Sequence, residues 1–212
     1  MTLTSRLFLR VFYVAYAIGI VALLVIPMSW MPAFYHPVFM AGISSLALTV
    51  VMLPGFFTRH LQQQHQSMVE RYQASLAFCA GVNGLGGLGL YKLYEYGIQY
   101  DKILHFLVSV IFVLGIAHFL HYFHARSRTI AIILAVIIVI LCGFAWEGWE
   151  VLQDHLFGTQ TSGVYGADYF SDTFFDLLFD IFGSIVGGIL LYIDSSRSTR
   201  RIKFLPFSLS EF

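Results

Sequence analysis

The stretch Ile130–Leu152, IAIILAVIIVILCGFAWEGWEVL, decides the architecture. It carries no charge from Ile130 to Trp146 and then turns acidic at Glu147 and Glu150. A bilayer core about 30 Å thick is crossed by roughly 20 helical residues rising 1.5 Å each. The stretch is long enough to cross and too apolar for a soluble surface. Working outward, five more runs read the same way: Leu7–Met28, Pro37–Phe57, Ser75–Tyr94, Ile103–Tyr122 and Thr173–Ile193. The third of the six holds Asn83 and five glycines between Gly81 and Gly89. The expected fold is all-α, a polytopic transmembrane bundle of about six helices.

Composition agrees. Of 212 residues, 58% are apolar and 11% charged, and the mean hydropathy is +0.76. A soluble domain carries roughly 25% charged residues. No linker, repeat or low-complexity tract interrupts the chain, so residues 1–212 read as one integral membrane domain with a basic tail from about residue 195. The net charge is zero, which suggests no nucleic acid or polyanionic partner. The first run is too long for a signal-peptide core and lacks a small-residue cleavage site, so it reads as a retained helix. Cys79 and Cys142 lie in apolar runs and read as small hydrophobes rather than a disulfide.

Basic residues orient the spans, because cytoplasmic loops collect them. Arg6, Arg10, Arg59, Arg71, Arg126, Arg128, Arg197, Arg200, Arg201 and Lys203 fall on one side, and only Lys92 and Lys102 on the other. Both termini are therefore expected in the cytoplasm, and the membrane is read as a bacterial inner membrane. Five or seven spans would scramble this alternation. Trp30, Trp146 and Trp149 fall near the outer interface, where indoles settle.

The acids are not scattered. Asp101 and His105 are four apart on the fourth span and share a helix face. Glu147, Glu150 and Asp154 follow three-then-four spacing on the fifth, and Asp172, Asp176 and Asp180 recur every four residues on the sixth. Span directions bring all three stripes to the outer side. A carboxylate at the centre of a membrane helix costs roughly 2.5–3.5 kcal/mol on insertion scales, and such groups face a bundle interior or a cavity. Asp180 lies about 12 Å of helix rise below Asp172 and is the costliest. Nearby cations are few: Lys102, Lys92, His105 and His155. Either several acids stay protonated or a bound cation compensates them. Carboxylate oxygens with one imidazole suit magnesium, calcium or manganese, and the imidazole admits zinc. Asp101, Glu147, Asp172, Asp176 and Asp180 are the candidate metal ligands, with Glu150 and His105 as candidate catalytic groups. The bland alternative is a set of helix–helix hydrogen bonds, with Asp172 as an N-cap.

Other features weigh less. Gly84–Gly89 formally matches a dinucleotide fingerprint, but no strand precedes it. Close packing or a broken helix explains it better, and no nucleotide cofactor is expected. Gly183 and Gly187 form a small-residue pair suited to helix packing. His118, His121 and His124 read as a polar helix end, and His60 and His65 as solvated. The loop Gln153–Ser171, with Thr159, Gln160, Thr161, Ser162, Gly163 and Gly166, is flexible enough to cover the acids. The tail Arg197–Lys203 suits anionic lipid headgroups. No local motif marks a serine or cysteine nucleophile.

Trp146-Glu147-Gly148-Trp149-Glu150, Asp154, Gly158-Thr159-Gln160, Asp172-Thr173 and Asp176, with Tyr100-Asp101 and His105-Phe106, resemble the YjdF-type family of uncharacterised bacterial membrane proteins. Asp101-Lys102 with His105, Glu150 with Gln153, and the aspartates before Gly183 and Gly187 are similar to the VanZ-like family, associated with glycopeptide resistance. The resemblance covers roughly Tyr100 to Gly188. It departs from the YjdF-type pattern in having only Tyr100 as the aromatic before Asp101, and a longer loop before Asp172. It implies that Asp101, His105, Glu147, Glu150, Asp172 and Asp176 are the family's characteristic polar positions.

Three functions remain open. The first is a metal-dependent hydrolase or transferase acting on lipid or envelope-precursor head groups, with Glu150 or His105 as general base. The second is a non-catalytic lipid- or partner-binding envelope protein. The third is a proton- or cation-coupled transporter, against which the apolar cytoplasmic halves of the spans weigh. Membrane lipids are the expected partners, and oligomeric state is left open.

Overall fold

The computed structural model describes residues 3–25, 37–57, 63–124, 127–159, 161–162, 169–196, 203–204 and 207–208. Trp30, Arg59, His60, Arg126, Gln160, Gly163, Gly166 and the tail arginines Arg197, Arg200 and Arg201 lie outside the described residues. Of His65 and His124 only the helical backbone is described.

The chain is a helical membrane bundle. Its helices are α1 (Leu3–Val25), α2 (Pro37–Phe57), α3 (Gln63–Gly87), a short 3-10 helix (Leu90–Tyr96), α4 (Tyr100–His124), α5 (Arg128–Phe157) and α6 (Tyr169–Ser196). Beyond them, Lys203–Phe204 pairs antiparallel with Phe207–Ser208. Five of the helices are individually long and apolar enough to cross a membrane, and α3 with the 3-10 helix makes a sixth if that bent pair crosses as one. Large apolar side chains such as Ile133, Ile137, Leu141 and Phe144 point outward from α5. Lipid tails solvate such a surface as well as a protein core would.

The chain divides into two compact units, Met1–Tyr96 and Gly97–Phe212. In the first, α1, α2 and α3 pack around Leu9, Phe12, Val51, Ala74 and Ala77. Pro54 sits inside α2, where it lacks an N–H and pushes on the preceding turn. Gln73 of α3 answers the opened turn. Its amide donates to the Val51 carbonyl at 2.9 Å and the Met52 carbonyl at 3.4 Å. Gly55 makes room, since a Cβ there would lie 2.7 Å from Gln73 Nε2. The Tyr16 hydroxyl donates to the Ala80 carbonyl and ties α1 to α3.

The glycine-rich segment breaks the third span as its composition suggests. Gly89 takes φ 128°, a conformation costly for any residue with a Cβ. The chain bends by 56° between α3 and the 3-10 helix. Gly86 leaves space for the Tyr91 ring, whose hydroxyl donates to Asn83 Oδ1 at 2.9 Å. No strand–turn–helix unit of the dinucleotide kind exists here among the described residues.

In the second unit α4, α5 and α6 enclose Val110, Val113, Leu114, Ala117, Ile132 and Leu191, among others. Helix α4 meets α6 along the predicted glycine pair. A Cβ on Gly183 would collide with the Phe106 backbone, and one on Gly187 would lie 3.0 Å from Val113 Cβ. Helix α5 runs 30 residues, about 45 Å at 1.5 Å per residue, and so outreaches a hydrocarbon core of about 30 Å. Ser127 caps its start, and Gly158, at φ 64°, caps its end. Arg128 donates from its guanidinium to the Leu191 carbonyl at 2.9 Å, pinning the start of α5 to the last turns of α6. Cys79 and Cys142 are free thiols.

Candidate functional site

Helix directions bring the start of α4, the end of α5 and the start of α6 to one end of the second unit. The four-residue repeat on α6 and the Asp101/His105 pair on α4 then face each other, because the glycine seam holds the two helices close. Every residue of the cluster belongs to this unit.

Lys102 is the cation at the centre of one half. Its side chain is 6% exposed. Nζ lies 2.5 Å from Asp172 Oδ1, 2.7 Å from both carboxylate oxygens of Asp176 and 3.6 Å from Asp101 Oδ2. It also donates to the Asp172 carbonyl at 3.3 Å. Helix α6 begins at Tyr169, so Asp172 sits inside its first turn rather than at the N-cap. There it meets the positive end of the helix dipole as well as Lys102.

His105 is the centre of the other half. Nδ1 lies 3.1 Å from Asp180 Oδ2, while the Ser109 hydroxyl donates to Asp180 Oδ1 at 2.7 Å. Asp180 fits because Gly143 has no side chain; a Cβ there would stand 2.5 Å from Asp180 Oδ2. With Nδ1 engaged, Nε2 faces three carboxylates: Asp176 Oδ1 at 3.6 Å, Glu147 Oε1 at 3.8 Å and Asp101 Oδ1 at 3.9 Å. Glu147 is 4% exposed, and its Oε1 has no hydrogen-bond partner. Asp101, His105 and Asp176 each offer one ligand atom, all within 4.8 Å of one another, which makes the group capable of holding a metal ion.

Charge does not balance within the cluster. Six carboxyl groups (Asp101, Glu147, Glu150, Asp172, Asp176 and Asp180) meet one lysine and one histidine. Buried charges without partners are expensive. His155 is exposed and stands outside the cluster.

Glu150 stands at the rim. Its Oε1 accepts from Trp146 Nε1 at 2.8 Å, and its charged neighbours are Glu147, Asp101 and His105. Asp154, on the same stripe by spacing, serves the following loop instead. It accepts from the Thr159 hydroxyl at 2.7 Å, the Thr161 N–H at 2.7 Å and the Ser162 N–H at 3.0 Å, and from the Ser162 hydroxyl.

Every metal or catalytic candidate read from the sequence lies at this end of the unit, while Asp172 Oδ1 is engaged by Lys102 and both oxygens of Asp180 by His105 and Ser109. In the sequence Lys102 stands out only as a nearby cation, and nothing in the acidic stripes points to Ser109. Both stand at helical spacing from His105, three before and four after, which is the signal that marks them. His118, buried against Tyr122, lies well along α4 from the cluster.

No curated protein and no solved structure matches the chain. One family model does, over residues 9–197, a range that spans all six long helices almost entirely. The chain therefore belongs to the family described as predicted membrane protein DUF2238.

Proposed function

We propose that the second unit is a membrane-embedded divalent-metal centre that hydrolyses or transfers phosphate or ester groups of lipid or lipid-linked head groups. The observation that carries it is the convergence of His105 Nε2 with Asp101, Glu147 and Asp176, two of whose oxygens, Glu147 Oε1 and Asp176 Oδ1, are buried without a hydrogen bond. A divalent cation among these atoms offsets the surplus of carboxylates. It would polarise a phosphoryl or carbonyl oxygen and lower the pKa of bound water. Glu150, at the rim beside Trp146, is placed to take a proton from that water. Distribution of the basic residues supports an extracytoplasmic site in a bacterial inner membrane, and the YjdF-type resemblance names the same polar positions.

A second reading rests on Lys102. Its contacts with Asp172 and Asp176 neutralise part of the cluster internally, as a lipid- or partner-binding protein without turnover would allow. A through-path for ions has less support, because Val113, Ala135 and Leu191 fill the unit below the acids.

The test is metal content and turnover measured together on detergent-purified protein. The parent should carry near-stoichiometric metal and release head groups from defined phospholipids or polyprenyl phosphates. Asp176→Asn/Glu150→Gln should lose both. Stoichiometric metal without turnover of these lipids would move the protein to the binding reading, and no metal in any preparation would remove the centre.

A further inference from the structure

The atoms left free around His105 specify what kind of metal fits, an inference that rests on the metal-centre reading above. Asp172 gives Oδ1 to Lys102, and no contact joins it to His105. Asp180 gives one oxygen to His105 and the other to Ser109. Both oxygens of Asp176 lie 2.7 Å from Lys102 Nζ, but only Oδ2 is hydrogen-bonded to it, and the buried Oδ1 makes no hydrogen bond, so Oδ1 is the oxygen left to a metal. What remains is one nitrogen, His105 Nε2, and one oxygen each from Asp101, Glu147 and Asp176.

An imidazole and three single carboxylate oxygens fall short of the 6–8 oxygen ligands that calcium takes, and magnesium, a hard ion that prefers oxygen and keeps several waters, gains little from the nitrogen. These donors suit a four-coordinate first-row transition ion of the zinc class. Zinc bonds of about 2.0–2.2 Å place tetrahedral donors roughly 3.3–3.6 Å apart. Nε2 stands 3.6, 3.8 and 3.9 Å from the three oxygens, and the ligand atoms of Asp101, His105 and Asp176 lie within 4.8 Å of one another, so these three close on an ion by drawing in by up to about 1.5 Å, with Glu147 turning in as the fourth donor.

Asp180 supplies the remaining requirement. A ligating histidine commonly donates its other N–H to a carboxylate, which fixes the tautomer and ring orientation. The His105 Nδ1–Asp180 contact has that form, and Ser109 and Gly143 hold the carboxylate in place. We infer that the site takes a zinc-class transition ion through His105 Nε2, Asp101, Glu147 and Asp176, and that Asp180 is a positioning residue for His105 rather than a ligand.

The full chain in detergent, stripped with a chelator, would be dialysed against an equimolar mixture of zinc, manganese, magnesium and calcium. Retained metal would be measured by elemental analysis, and a cobalt(II)-loaded sample examined by visible absorption. The expected result is about one zinc per chain and the intense visible bands of four-coordinate cobalt. Asp180→Ala should bind with about 10–100-fold weaker affinity at unchanged stoichiometry. Asp180→Asn, whose amide oxygen still accepts from Nδ1, should recover part of that loss and the parent's cobalt spectrum. Glu147→Gln, nearly isosteric, should reduce affinity and change the spectrum. Helical circular dichroism and gel filtration would establish that each variant is folded. Retention of magnesium or calcium in preference to zinc would overturn the inference and leave the metal centre standing. Retention of no metal would bring down both. Complete loss of the site in folded Asp180→Ala and Asp180→Asn would make Asp180 a ligand and overturn its positioning role.

Discussion

Asp180 holds His105 from behind: its Oδ2 stands 3.1 Å from Nδ1, so the opposite nitrogen points at Asp101, Glu147 and Asp176. The carboxylate itself is seated against Gly143 of α5 and Ser109 of α4. One aspartate thus gathers all three helices of the unit around one imidazole. A Gly143→Ala change would push on that seat. On the metal-centre proposal it should weaken metal binding several-fold with little change in helix content, measured by competitive titration and circular dichroism.

Lys102 predicts a stability effect. Removing one partner of a buried ion pair leaves the other uncompensated and costs about 3–5 kcal/mol. Lys102→Met should lower the thermal unfolding midpoint in detergent markedly. Lys102→Met/Asp172→Asn should recover part of the loss, because the second change removes an orphaned charge. A double variant no more stable than the single would mean that Asp172 finds another partner.

Close packing predicts a contrast among glycines. Gly183→Ala sets a methyl against the Phe106 backbone and should cost about 1–3 kcal/mol, the usual range for overpacking. Gly42→Ala and Gly81→Ala, where a Cβ meets nothing within 4 Å, should be neutral or slightly stabilising, since alanine is the better helix former. Thermal unfolding of the three variants side by side reads the difference.

In the first unit, Gln73→Leu removes the side-chain donor to the Val51 and Met52 carbonyls beside Pro54. A buried group that loses its hydrogen bond costs about 1–3 kcal/mol. Pro54→Ala restores an N–H for the Val50 carbonyl and lets the turn close, drawing the Val51 carbonyl toward the N–H of residue 55, so a double-mutant cycle should show coupling between residues 54 and 73. Additive effects would disconnect Gln73 from the proline.

Asp154→Ala removes the acceptor shared by Thr159, Thr161 and Ser162. Amide exchange should accelerate at Thr161 and Ser162, whose N–H groups donate to it, while metal affinity stays near that of the parent. A large loss of metal would place Asp154 with the cluster.

Much of this was legible in the chain because membrane helices are legible: length and apolarity set the spans, and the cost of intramembrane acids singled out the stripes. Glycines between Gly81 and Gly89 announced a weak helix, and the 56° bend followed. Division of labour among the acids was not legible. Glu147 and Asp154 share a stripe by spacing, yet one faces His105 and the other turns to a loop that follows it in sequence. Lys102 adjoins Asp101, but only the approach of α6 shows that its ammonium sits between Asp172 and Asp176. Periodicity reports which face a residue occupies, whereas the rotation and axial offset of neighbouring helices decide what that face meets.

Asp172, Asp176 and Asp180 form a ladder whose rungs are one helical turn apart, and a ladder of identical rungs has no register of its own. The glycine seam supplies one. Shifting α6 by a turn in one direction would bring Phe179 to the place of Gly183, against the Phe106 backbone. Shifting it the other way would bring Leu191 to the place of Gly187, against Val110 and Val113. Either slide is blocked by bulk, so Gly183 and Gly187 act as a detent that selects which aspartate stands beside the imidazole.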